Sequence, residues 1–469
     1  LKTELKSFFT IHDKSLGILF FVLTVFFTHA PLFLFIPVPG IHMDTFGYFW
    51  FAKEIFDGQL PVKDMPTDFP WGYPLFLFIA KWFGGNILQM AAAQTFIFTL
   101  AGIWLIWQYA KSFAQGGIVA ALALIIFTVQ PHTIRHNLNL YSESLYTSSM
   151  LFFAGSIPLF FRTKKTLGYF LIVLSIFMLM IFRPNGILML LVPVLILITE
   201  SVRKKQNAKY YLSILLGILL FNAGCNYYFK GRFEVGDADR IKKVWARFIK
   251  KVSFKKSEPT AVTPATTSPG PATLFQHYFT NFYTPKSSFY YSLQKTNYEM
   301  VIKNEMHLDT GLKMFDGNFY LDEFAPGVRE FIFQGYQPAL YKQEKFEKRI
   351  DYYDKSHRNF WMMAVHLSYE ITNKSKLLLI LYIAFFITLG YYLMHWIKKR
   401  NFTNDIIIFS SLIHLINLAT LPFIHGSFQL RYIHVTEFIV LLIALFGLKM
   451  FGTYCYQFFS QSKQKIGSV

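Results

Sequence analysis

Long stretches poor in charged side chains limit what this chain can become. Residues 16–36 contain no Asp, Glu, Lys or Arg, and a helix needs about 20 mostly apolar residues to cross a bilayer. Further apolar stretches cover 86–110, 117–131, 143–161, 167–182, 186–201, 209–228, 375–397, 404–424 and 432–451. Hydrocarbon leaves no backbone amide a partner outside the chain, so such stretches fold as helices. The expectation is an all-α polytopic membrane protein with about ten transmembrane helices and a large extracytoplasmic loop domain. The first stretch is too long for a signal-peptide core, and no small-residue cleavage site follows it. It reads as a retained span.

Basic residues set the direction of the spans. Lys2, Lys6 and Lys14 precede the first; Arg162, Lys164 and Lys165 follow the fourth; Arg203, Lys204 and Lys205 follow the sixth. Lys398, Lys399 and Arg400 follow the eighth, and Lys463 and Lys465 the last. With ten spans all these clusters fall on one side, which the positive-inside rule makes cytoplasmic. The formal net charge of +19 then belongs to membrane topology and anionic headgroups, and no nucleic-acid partner is expected. Cys225 and Cys455 both lie in or beside apolar stretches, which argues against a disulfide framework. CxxC, HExxH, Walker-type and GxGxxG motifs are absent.

Three parts follow from this pattern: an N-terminal transmembrane module (1–228), an external loop domain (229–374) and C-terminal transmembrane helices (375–469). Within the loop domain, 240–256 reads as a basic amphipathic helix lying on the membrane surface. The Pro- and Thr-rich stretch 257–273 reads as a flexible linker, and 274–372 as a small, mostly helical cap. The outer side also receives the 37–72 loop, the His132–Glu143 loop, the Arg183 turn and the His425–Arg431 turn. Nearly every informative polar residue is on that side.

Asp44, Tyr48 and Ala52 are spaced four apart and share one face of a short aromatic helix. An acid where the chain leaves the bilayer is a candidate for chemistry, although Asp44 also suits a helix N-cap. Glu143 opens the fourth span, either as part of a cap with Ser142 or as a second acid meeting Asp44 at one outer surface. His132, Arg135 and His136 form an anion-binding loop or an interfacial polar cluster. Arg183 and Arg431 lie at span ends, as snorkelling anchors or as planar donor forks for the phosphate of a lipid.

Taken together, these residues resemble the GT-C class of integral-membrane glycosyltransferases, in particular the protein-mannosyltransferase and aminoarabinose-transferase branch. The resemblance rests on Asp44, Tyr48, Ala52 and Gly58; on Gly72-Tyr73-Pro74-Leu75; on Tyr141 through Leu145; and on Arg183-Pro184 with Arg431-Tyr432. It covers roughly the first 200 residues and the last 50. It implies transfer of a hexosyl or pentosyl group, with inversion, from a polyprenyl-phosphate donor to an extracytoplasmic glycan, lipid or protein. Asp44 would be the catalytic base, Glu143 the second acid, and Arg183, Arg431 and Arg135 the donor-phosphate ligands. His42, Tyr48, His132 and His425 are candidates for contacting acceptor or sugar. Glu143 stands where many relatives have Asp, which leaves a divalent cation open. A bacterial inner membrane, with the site facing the periplasm, is the expected location. The competing readings are a transporter or flippase for a lipid-linked substrate and a structural subunit of an envelope complex.

Overall fold

A computed structural model of the chain describes residues 12–35, 48, 51–52, 54–55, 58, 60–62, 70–83, 87–138, 140, 142–163, 166–203, 208–235, 375–399, 401–424 and 434–466. Among these there is no strand. The helices are α1 (Asp13–Phe35), α2 (Gly72–Trp82), α3 (Ile87–Ser112), α4 (Gly116–Thr128), α5 (Pro131–Leu138), α6 (Glu143–Thr163) and α7 (Thr166–Phe182). A 3₁₀ segment, Pro184–Leu190, leads into α8 (Leu191–Arg203); α9 (Ala208–Lys230), α10 (Ser375–Lys398), α11 (Phe402–Ile424) and α12 (Glu437–Ile466) follow. All ten predicted spans fall on these helical segments. Eight are long and apolar enough to cross a membrane, while α4 and α7 are shorter apolar helices.

Two details differ from the sequence reading. The third span stops at Thr128, and Pro131 opens α5 where a loop was expected; proline suits a first helical position because its missing N–H has no intrahelical partner there. The last helix runs on to Ile466, so Lys463 and Lys465 belong to it and do not follow it. Of the expected external loop domain only 229–235 is described. The surface helix 240–256, the linker 257–273 and the cap 274–372 lie outside the described residues.

One buried apolar cluster runs from Phe21 in α1 to Phe446 in α12. Helix α12 packs against α4 and α10, and α11 packs against α6, so both ends of the chain build the same core. Leu212, Leu216 and Leu220 form an exposed row on α9, the face a span offers to lipid. Two glycines permit close approach. A Cβ on Gly72 would stand 2.7 Å from the Ile181 carbonyl oxygen, and one on Gly186 would stand 2.3 Å from the Leu179 carbonyl carbon. The second contact lets the chain fold back directly after α7.

Side-chain bonds sort the helix ends into two sets. At the lysine-rich end, Tyr109 meets Ser410 at 2.8 Å and Trp396 donates to Asp405 at 2.7 Å. Asp13 belongs to the same set. The N-cap of α4, Gln115, supplies no side-chain cap, and the Asp13 carboxylate does so from α1, accepting the Gly117 and Ile118 amides at 2.9 and 2.8 Å. These are charge-assisted bonds to amides that lack an intrahelical partner. Asp13→Ala is expected to lower stability by about 1–2 kcal/mol, and Asp13→Asn by less. Thermal unfolding of the three proteins in one detergent measures the order.

Candidate functional site

The opposite end of the bundle carries the predicted chemistry. Glu143 is the first residue of α6 and Arg183 follows the last residue of α7. The backbone at Arg183 is extended, and Gly186 N–H bonds back to its carbonyl at 2.9 Å. This turn aims the Arg183 guanidinium at Glu143, and the two form an ion pair with side chains only 10% and 1% exposed. Tyr146, one turn into α6, stands within electrostatic reach of Arg183. The hydroxyls of Tyr146 and Thr147 are buried and have no hydrogen-bond partner among the described residues.

Residues 48, 51, 52 and 55 are helical and buried, a spacing that defines one helix face. The Tyr48 hydroxyl lies 3.0 Å from Ser142 Oγ, beside Glu143. Its ring stands edge-on to Tyr73, with centroids 4.8 Å apart. Ser142 thus meets Tyr48, and the first turn of α6 is tied to the segment that carries Tyr48. Val62 N–H reaches the Phe229 carbonyl at 2.9 Å, and Trp71 stacks on Phe229 while donating to Asn226 at 2.8 Å. That segment is fastened at both ends of its described part.

Sequence reasoning missed two buried networks at this end. Asn137 of α5 joins three spans. Its Nδ2 faces His29 Nε2 of α1 at 3.2 Å, its Oδ1 accepts from Ser144 at 2.9 Å, and its carbonyl accepts from Gln94 at 2.8 Å. Gln94 in turn accepts from Tyr73 at 3.0 Å. Because Asn137 donates to Nε2, His29 keeps its proton on Nδ1, facing Thr28 Oγ at 2.8 Å.

The second network centres on His434 and Glu437, both 0% exposed and 2.8 Å apart. Thr133 donates to the Phe127 carbonyl at 2.6 Å, so its oxygen accepts from His434 Nε2 at 2.8 Å. Nδ1 of His434 faces Glu437 Oε2 on its other side. The His434 ring stacks on Phe127 at 4.8 Å and meets His136 edge-on at 5.6 Å. A sequence signal existed: an acid and a histidine three apart at the start of an apolar stretch.

The predicted residues therefore divide. Glu143 and Arg183 come together, with Tyr48 one contact away through Ser142. His132 and Arg135 fall on α5, where only their backbone is described. His42, Asp44, His425 and Arg431 lie outside the described residues. Among the described residues, no three His, Cys, Asp or Glu side chains are grouped to hold a metal ion.

No protein-family model matches the chain, and no curated protein matches it. Among solved structures, it is similar to the archaeal oligosaccharyltransferase AglB from Archaeoglobus fulgidus, solved in complex with an inhibitory peptide and a dolichol-phosphate. The TM-score is 0.43 and the identity 9%, over 97% of this chain. The chain spans about half, 52%, of the length of that protein. A likeness at that level assigns no activity.

Removing one member of a buried ion pair leaves a charge unmatched and typically costs about 3–5 kcal/mol, whereas replacing both members costs far less. Glu143→Gln and Arg183→Met are each expected to destabilise by about that amount, and the double variant by less than either. A double-mutant cycle on thermal unfolding tests this, and additive losses would deny the coupling.

Proposed function

We propose that this protein is a membrane glycosyltransferase that moves a hexosyl or pentosyl group from a polyprenyl-phosphate donor to an extracytoplasmic acceptor. The observation that carries this reading is the buried Glu143–Arg183 pair at the bundle end opposite the lysines. A guanidinium held there by a carboxylate is ready to exchange that partner for a phosphate, because both anions fit its planar donor fork. The buried hydroxyls of Tyr146 and Thr147 are further donors for the same anion. The ordered set of motifs shared with the GT-C class supports the same reading.

The reaction is a single displacement. Asp44 takes the proton of the acceptor hydroxyl as its oxygen attacks the anomeric carbon. The bond from that carbon to the phosphate oxygen breaks with inversion, and polyprenyl phosphate leaves with the electron pair. Arg183, with Arg431 and Arg135, stabilises the charge that grows on the phosphate. Burial of the prenyl chain among the spans holds the sugar at the water interface, so proximity supplies much of the rate. His42, Tyr48, His132 and His425 are assigned to the acceptor and sugar side. Tyr48 acts there by fixing Ser142 and hence the first turn of α6. The cytoplasmic side is the lysine-rich end, and a bacterial inner membrane is the proposed location.

The test is release of polyprenyl phosphate by purified protein from a panel of polyprenyl-phosphate sugars, with an acceptor extract present. Wild type is expected to turn over at least one donor, and Asp44→Asn to lower kcat by about 10²–10⁴-fold. No turnover with any donor, together with protein-dependent movement of the intact lipid across vesicles, would overturn this reading in favour of a transporter.

A further inference from the structure

The lysine-rich end holds an arrangement that the transfer reaction does not use. Trp107, near the end of α3, has two ammonium groups at its ring. Lys14 Nζ of α1 stands 4.4 Å from the ring centre, and Lys111 Nζ, one turn further along α3, stands 5.0 Å from it. An indole face attracts a cation, but two like charges gathered at one ring repel each other. The adjacent acid, Asp13, directs both carboxylate oxygens to the amides of Gly117 and Ile118. More positive charge lies close by in sequence or contact. Lys449 bonds the Ala114 carbonyl just beyond α3, and Arg162 donates to Gln108, the residue after Trp107, at 3.3 Å.

The same helix shows what kind of anion fits. Phe96, Leu100 and Trp107 are 62%, 49% and 38% exposed, and with Lys111 their spacing of four, seven and four residues keeps them on one helix face. An apolar lane therefore runs along the outside of α3 and ends at the two ammonium groups. That sequence of chemistries matches an amphiphile: acyl chain along Phe96 and Leu100, headgroup phosphate at Lys14 and Lys111. A free phosphate ion would use only the end of the lane.

We propose that Lys14, Trp107 and Lys111 form a binding site for the phosphodiester headgroup of an anionic phospholipid, with one acyl chain lying along α3. The site is far along α3 from Gln94 and the opposite polar end, so it is independent of the proposed transfer reaction.

Native mass spectrometry of the full chain in a non-ionic detergent tests the proposal, with added phosphatidylglycerol, phosphatidylcholine or inorganic phosphate. Wild type is expected to retain phosphatidylglycerol in preference to phosphatidylcholine, and inorganic phosphate is expected not to displace it. The Lys14→Gln/Lys111→Gln variant is expected to bind the first phosphatidylglycerol about ten- to thirty-fold more weakly. Lys14→Arg/Lys111→Arg is expected to keep the preference, which separates lost charge from lost folding. Equal retention of both lipids by wild type, or undiminished phosphatidylglycerol binding by the glutamine variant, would overturn the site. Displacement by inorganic phosphate at millimolar concentration would overturn the lipid assignment.

Discussion

Hydrocarbon offers a polypeptide no hydrogen-bond partner, so most polar groups that enter the bundle pair with another part of the same chain. The consequence here extends beyond helix formation. Polar side chains gather at the two ends of the bundle, and at each end they bond between helices. Asp13 caps a helix that begins 103 residues later at Gly116 (116 − 13), and Asn137 ties α5 to α1, α3 and α6. Each bond fixes the axial position of one span against another, where apolar packing alone allows sliding. Glu143 sits between two residues bonded in this way, Ser142 and Ser144.

Among the described residues, two acid–base pairs occupy the end opposite the lysines. Glu143 holds Arg183, and Glu437 contacts His434. They differ in what surrounds them. Thr133, Phe127 and His136 enclose the His434 pair, which makes it a strut between α5 and α12. The Arg183 pair instead has Tyr146 of α6 within electrostatic reach, its buried hydroxyl unbonded among the described residues, and an extended backbone at its arginine. Those features suit exchange of one anion for another. The first pair organises the end of the bundle; the second is where a ligand is proposed to act.

Much of this was legible in the residues. The ten apolar stretches all became helical segments, and Arg183-Pro184-Asn185-Gly186 ended one span and began the next because proline and glycine punctuate helices by backbone geometry alone. Glu143 opened its helix as its position promised. Other features were not legible, for tertiary reasons. Helix α5 is short and polar, so periodicity gave no sign of it, and Asn137 gains its importance only from three partners distant in sequence. His434 and Glu437 left a signal in their spacing, but the bond from His434 to Thr133 spans 301 residues of sequence. The capping role of Asp13 depends on a Gln115 N-cap that provides no side-chain bond, a vacancy that sequence spacing does not reveal.

The central claim is that Arg183 exchanges Glu143 for a lipid phosphate. Equilibrium binding of radiolabelled polyprenyl phosphate, without a sugar, tests it most directly in wild type, Glu143→Gln and Glu143→Gln/Arg183→Gln. The account predicts tighter binding by Glu143→Gln, because the competing carboxylate is gone, and loss of most of that affinity in the double variant. Equal affinity in all three proteins would contradict it.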